Sequence, residues 1–237
     1  MYDGLILTDA DIMCIYQDHV LVNNTPEYLG RYVPLPLEKN TKRWRWEGKA
    51  FPRVITVLEF ACLVREYDMQ PGKLLMLNGG EWGDPELEYV QPAHMVSIDY
   101  DEATGANDLH TLALSERDFD LVLVAQTLEH LHNPIAALER IFHHITPGGY
   151  LFTSVPVVNI PHATPQHHYT GFTPTGLGAI CRVAGFDIAA IGQWGNSRYI
   201  NLIFNRKCWP DYRQLGSELQ NEFENPVDAW ILARRPT

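Results

Sequence analysis

The sequence predicts an α/β fold, with a mostly parallel sheet covered by helices on both faces. Three observations predict it. Residues 119–156 read strand, helix, strand. Two further apolar runs, 73–78 and 94–99, have strand length and end in turn residues. The 237 residues suffice for one well-cored domain.

The central stretch sets the pattern. Asp120 opens a continuous apolar run to Ala125 whose valines suit a strand buried on both faces. Asn133 and Pro134 are a helix cap followed by proline at the first helical position. Ile135, Leu138, Ile141, Phe142 and Ile145 then recur at helical spacing, and Pro147-Gly148-Gly149 is expected to stop that helix. A second run from Tyr150 to Val155 ends at Pro156. Two strands joined by a crossover helix are parallel and adjacent.

The rest of the chain is taken in order. Residues 1–50 lack a clear period and are expected to form an extension, with short strands at 5–7 and 20–22. Its aromatics Tyr28, Tyr32, Trp44 and Trp46 either contact a substrate or pack the extension onto the domain that follows, 51–237. Basic residues between Lys39 and Arg53 form a surface face or a contact for an anionic or glycan-like substrate. Residues 52–69 read as a helix apolar nearly all round, hence buried.

The strand 73–78 runs into Gly79, Gly80, Glu81 and Gly83. A glycine turn between strand and helix is where a nucleotide-like ligand meets main-chain N–H groups. The spacing is ambiguous: against G-x-G-x-x-G, Asn78 replaces a glycine; against G-x-G-x-G, Glu81 does. Asp99 closes the next strand twenty positions after Gly79, where a carboxylate can accept ribose hydroxyls. Tyr100 is placed to lie against adenine. Asp108 and Leu109 precede an expected short third strand. Gln126 to His130 follow the central strand and face a ligand crevice, because open α/β sheets bind at the carboxyl ends of their strands. The later loop carries His162, His167 and His168. Imidazole titrates near neutral pH and suits a general base. These histidines lack a companion cysteine or carboxylate nearby in sequence, so no metal is expected. Thr173-Pro174 opens another helix, Gly185 ends it, and 226–233 is the last strand.

Two connected patterns resemble the class I S-adenosyl-L-methionine (SAM)-dependent methyltransferases. One is Phe119-Asp120 before the apolar run, then Leu128-Glu129-His130, then Ile145-Thr146-Pro147-Gly148-Gly149. The other is Phe172-Thr173-Pro174 with Gly176-Leu177, followed by Ala184-Gly185-Phe186. With their flanks they cover roughly residues 50–236. The resemblance implies a Rossmann-like seven-stranded sheet whose last strand is antiparallel. It implies SAM as cofactor, held by Gly79, Gly80, Glu81, Asp99, Tyr100, Asp108, Leu109 and Gln126. In the family, a carboxylate ending the first strand holds the methionine part; Met76 and Leu77 stand there instead, and Glu81 is the substitute. An aspartate at the place of Asp108 bonds the adenine amino group. The expected reaction is methyl transfer to a hydroxyl or other nucleophile of a small molecule or sugar, with His167, His168 and His130 as candidate bases. A non-catalytic protein of the same fold and an NAD-binding enzyme are the competing readings. The second lacks room here for the further βα units it normally carries.

A formal charge of −11 argues against coating nucleic acid, which needs clustered Lys and Arg. Cys14, Cys62, Cys181 and Cys208 form no C-x-x-C pair, which points to a reducing compartment. A leader and a membrane-length apolar run are both lacking, so a cytoplasmic protein without membrane partners is expected. A homodimer stays open.

Overall fold

The computed structural model describes residues 5–31, 46–79, 85–162 and 168–237. Six strands make one sheet: β1 (Lys73–Leu77), β2 (His94–Ile98), β3 (Phe119–Ala125), β4 (Ile145–Pro156), β5 (Asp187–Trp194) and β6 (Asp228–Arg234). Their order is β2-β1-β3-β4-β6-β5. β1 to β4 pair in parallel, and β6 is antiparallel to both β4 and β5. The chain leaves β1 toward β2 and returns on its other side as β3. The strand tips at Leu77 and Ala125 therefore flank a topological switch point, the place where such sheets open a crevice.

Alternation along the strands divides the core. Leu75 and Leu77 of β1, with Val122 and Val124 of β3, face α4 (Pro134–Phe142) and α5 (Pro174–Val183). Leu74, Met76, Leu121 and Leu123 face the opposite layer, where α3 (Phe51–Glu66) and α6 (Ser197–Arg206) supply Phe51, Phe60, Tyr199 and Ile203. Covering both faces is what makes β1 and β3 uniformly apolar.

Three sequence expectations need correction. The sheet has six strands among the described residues, not seven. The short third strand is replaced by a 3₁₀ turn, Leu109–Thr111, which Asp108 caps by accepting the His110 N–H at 2.9 Å. Beyond it the Leu114 N–H donates to His144 Nε2 rather than to a strand. The central helix also ends at Phe142 instead of running through Ile145. His144 Nδ1 donates to the Arg140 carbonyl and closes the helix end, and Ile145 is already paired with Phe119 as the first residue of β4. Pro147-Gly148-Gly149 thus lies inside a strand, at an irregularity in its register.

The extension is helical where strands were expected. It has α1 (Asp9–Ile15), a π turn Tyr16–Val20, a 3₁₀ turn Leu21–Asn24 and α2 (Pro26–Gly30), with no strand at 5–7. It lies on the β5 edge. Asn23 Nδ2 donates to the Ile191 carbonyl at 3.2 Å, and the Tyr28 hydroxyl accepts from the Gln193 N–H at 3.0 Å. Tyr28 and buried Trp46 pack rather than face a ligand; Tyr32 and Trp44 lie outside the described residues.

Candidate active site

A cleft of about 1030 Å³ opens at the carboxyl ends of β1 and β3. Ligand sites commonly span about 300–1,000 Å³, so it has room for two small molecules side by side. Its apolar floor includes Met76, Leu77, Leu123 and Phe152. Polar groups form its walls at the strand tips and in the loops after β3 and β4.

Two turns with left-handed backbone shape the strand tips. Asn78 follows β1 with φ 54°, and Gln126 follows β3 with φ 50°. Asparagine tolerates this region better than most non-glycine residues. That is why Asn78 can stand where a glycine motif would place Gly. Its Oδ1 accepts the Tyr100 N–H at 2.9 Å, tying the tips of β1 and β2.

Of the residues singled out as cofactor contacts, Gly79, Tyr100, Asp108, Leu109 and Gln126 line this cleft. Asp99 stands at the tip of β2 beside Tyr100, exposed, and is not among the cleft walls. Gly80 and Glu81 lie outside the described residues. Asp108 is half-buried. Burial pushes its carboxyl up, but the His110 N–H and imidazole outweigh this and hold it below the usual range. His110 Nδ1 lies 2.6 Å from Asp108 Oδ1, while its Nε2 accepts the Asn133 N–H at 3.2 Å, which assigns the proton to Nδ1. His132 stacks on that ring, with centroids 3.9 Å apart.

The other end of the cleft is built from histidines. His130 and His162 line it, and His168 packs behind both; its ring centroid is 5.5 Å from His130 and 4.7 Å from His162. The ligand nitrogens of the three lie within 4.8 Å of one another. Burial, then the neighbouring His162 and His130, push the His168 imidazole down in pKa. His167 lies outside the described residues.

Two buried acids also line it. Glu129 lies in the stretch expected to face the crevice, but no role was assigned to it. Its carboxylate is buried, its Oε1 is 3.8 Å from His130 Nε2, and its Oε2 has no hydrogen-bond partner among the described residues. Burial pushes its pKa up to about 8. Asp228 was hidden in the last strand. Burial raises its carboxyl well above the usual range, while Gln126 and Arg53 pull it down. Arg53 in turn forms a two-pronged ion pair with buried Glu86.

A methyltransferase domain family matches residues 47–191, more than half of the chain. The chain belongs to the class I SAM-dependent methyltransferases. No curated protein matches the sequence. Among solved structures, the methyltransferase is similar to the 1,6-didemethyltoxoflavin-N1-methyltransferase of Burkholderia thailandensis, at 16% identity. That match covers 99% of this chain and 93% of the other, with a TM-score of 0.53. It is similar to the N-methyltransferase NodS of Bradyrhizobium japonicum, also at 16%, covering 90% of this chain and all of that one, with a TM-score of 0.51. The cyclase SpnF shares the fold too, at 17% identity over 81% and 86% of the two chains, with a TM-score of 0.51.

The cleft of the methyltransferase fits the family's cofactor. Acidic side chains outnumber basic ones along its walls, with Glu86, Glu102, Asp108, Glu129 and Asp228 against Lys49 and Arg53; burial raises Glu129 and Asp228, whereas Asp108 is held below the usual range as a carboxylate. Such a wall suits a ligand carrying a sulfonium and an ammonium group. Among the described residues, no helix is long and apolar enough to cross a membrane.

Proposed function

We propose that this enzyme transfers the methyl group of SAM to a hydroxyl or other nucleophile of a small molecule or sugar. The observation that carries the reading is the shape of the cleft. One continuous space joins the strand tips, where the family holds its cofactor, to a wall of imidazoles and a buried acid. The two S-adenosylhomocysteine-bound neighbours above are N-methyltransferases by name, and one of them holds the small molecule 1,6-didemethyltoxoflavin, which supports a small-molecule acceptor without selecting its atom.

In this reading Asp108 and the backbone of Leu109 meet adenine, Tyr100 lies against it, and Asp99 takes the ribose hydroxyls. Gly79 flanks the methionine portion, and Gln126 lies beneath it. Bound there, the cofactor supplies an electrophilic methyl on a positively charged sulfur. The protein's own contribution is alignment of the acceptor and exclusion of water by the apolar floor. His130 is the imidazole at the acceptor end that takes the released proton, with His168 behind it. Residues 1–50 are a separate extension on the 51–237 domain, and among its described residues Gly48 to Ala50 reach the cleft.

Calorimetric titration of the purified protein tests this. Heat with SAM and S-adenosylhomocysteine, and none with NAD, is the expected result. Silence with both sulfur ligands, or heat with NAD alone, overturns it. Methyl-labelled SAM offered with a panel of sugars and phenols then identifies the acceptor.

A further inference from the structure

We propose that His130, His162 and His168 form a binding site for one divalent transition ion, zinc foremost. Among the described residues these three are brought together as the one group of three or more potential metal ligands. They come from two loops, after β3 and after β4, so the sheet itself assembles the set. His162 is already oriented as a ligand. Its Nδ1 donates to the Ile160 carbonyl at 3.0 Å, which directs the lone pair of Nε2 away from the backbone. Metal-binding imidazoles ordinarily donate their second N–H in this way.

The second observation is the state of the groups around the cluster. His168 Nδ1 is buried and lacks a hydrogen-bond partner among the described residues, as does Glu129 Oε2. Glu129 is only 1% exposed, and its other oxygen is 3.8 Å from His130 Nε2. A buried polar atom without a partner costs about 1–3 kcal/mol. A bound cation would satisfy the carboxylate and bond the imidazole nitrogens directed at it. Three imidazoles suit zinc and its neighbours, with Glu129 beside His130 as a nearby countercharge; magnesium and calcium favour oxygen sets. A tetrahedral zinc with bonds of about 2.0–2.1 Å holds its nitrogens roughly 3.3 Å apart. The nitrogens now lie within 4.8 Å of one another, so a bound ion would have to draw them up to about 1.5 Å closer.

A consequence follows that rests on the methyl-transfer reading, although the ion site itself does not. The ion lies at the acceptor end, so it would hold an oxygen acceptor and lower the pKa of its hydroxyl. The acceptor's proton would then pass to solvent water rather than to His130, because an imidazole lone pair bonded to metal accepts no proton.

The test uses untagged, chelator-stripped protein titrated with Co²⁺, Zn²⁺ and Mg²⁺. One equivalent of Co²⁺ should bind with visible d–d absorption and no thiolate charge-transfer band. Zn²⁺ should displace it, and Mg²⁺ should not. His162→Ala should weaken Co²⁺ at least 100-fold, and His168→Gln should do the same if the first variant loses its circular dichroism. His94→Ala, on the far end of β2, should bind as the wild type does. Co²⁺ binding no tighter than Mg²⁺, or unchanged by both cluster substitutions, overturns the site. Titration of the stripped protein with S-adenosylhomocysteine reads the cofactor end separately. Loss of that heat with Co²⁺ binding intact would sink the methyl-transfer reading and leave the ion site standing.

Discussion

Gln126 Nε2 donates to both carboxylate oxygens of Asp228, at 3.2 and 3.0 Å. The two residues are 102 positions apart, and β4 lies between their strands. The contact exists because Gln126 leaves β3 in a left-handed conformation and turns its amide across the sheet top. It holds a buried acid in the wall of the cleft.

Stability should therefore depend on pH through Asp228. Its folded pKa lies well above the unfolded value, so the native state binds the extra proton between the two. The associated stability is full below the unfolded pKa and falls as pH rises toward the folded one, by up to about 1.4 kcal/mol per pH unit. Arg53 and Gln126 temper the shift, and the nearby Glu129 carboxylate is raised partly by Asp228. Asp228→Asn should gain stability over the wild type as pH is raised from 4 to 7. Urea unfolding across that range checks it; parallel curves would exclude the buried acid as the cause.

The turn after β1 gives a second prediction. Asn78→Ala keeps the left-handed backbone but adds its steric cost of about 1–2 kcal/mol and removes the bond to the Tyr100 N–H. A total loss of about 2–3 kcal/mol is expected in thermal or urea unfolding. A variant as stable as the wild type would show that this turn is not held as described.

The proposed cofactor contacts are tested by affinity. Hydrogen bonds to charged groups contribute about 1.5–3 kcal/mol, so Asp108→Ala and Asp99→Ala should each weaken S-adenosylhomocysteine by roughly 10- to 100-fold. Unchanged affinity in Asp99→Ala would remove that exposed residue from the site.

Packing behind the cleft has its own test. Gly192 on β5 pairs with Trp230 on β6, and a Cβ at Gly192 would overlap the buried Trp230 indole. Gly192→Ala should cost about 1–3 kcal/mol by overpacking. Unfolding midpoints of the two proteins decide it, and equal midpoints would mean the indole has room to move.

Much of the architecture was legible locally. Apolar runs bounded by turns marked β1, β2, β3 and the later part of β4. Asn133-Pro134 and Thr173-Pro174 marked the starts of α4 and α5, and both caps are made: Asn133 Oδ1 accepts the Ala136 N–H and Thr173 Oγ1 accepts the Gly176 N–H. Where a side chain bonded its own neighbouring backbone and so overrode the apolar period, reading by periodicity failed. Periodicity carried the central helix too far because it could not register His144 closing the helix end. It expected a third strand because it could not see Asp108 fold its own backbone into a 3₁₀ turn.

The sequence by itself determined the alternation of strands and helices, the family pattern and the cleft at the strand tips. These depend on periods of two and 3.6 residues and on short turns, which neighbouring residues dictate. Tertiary structure alone decided that His130 meets His162 and His168, that Gln126 meets Asp228, and that Glu129 is sealed from water. Each depends on sheet register bringing together residues far apart in the chain, and no local period encodes that register.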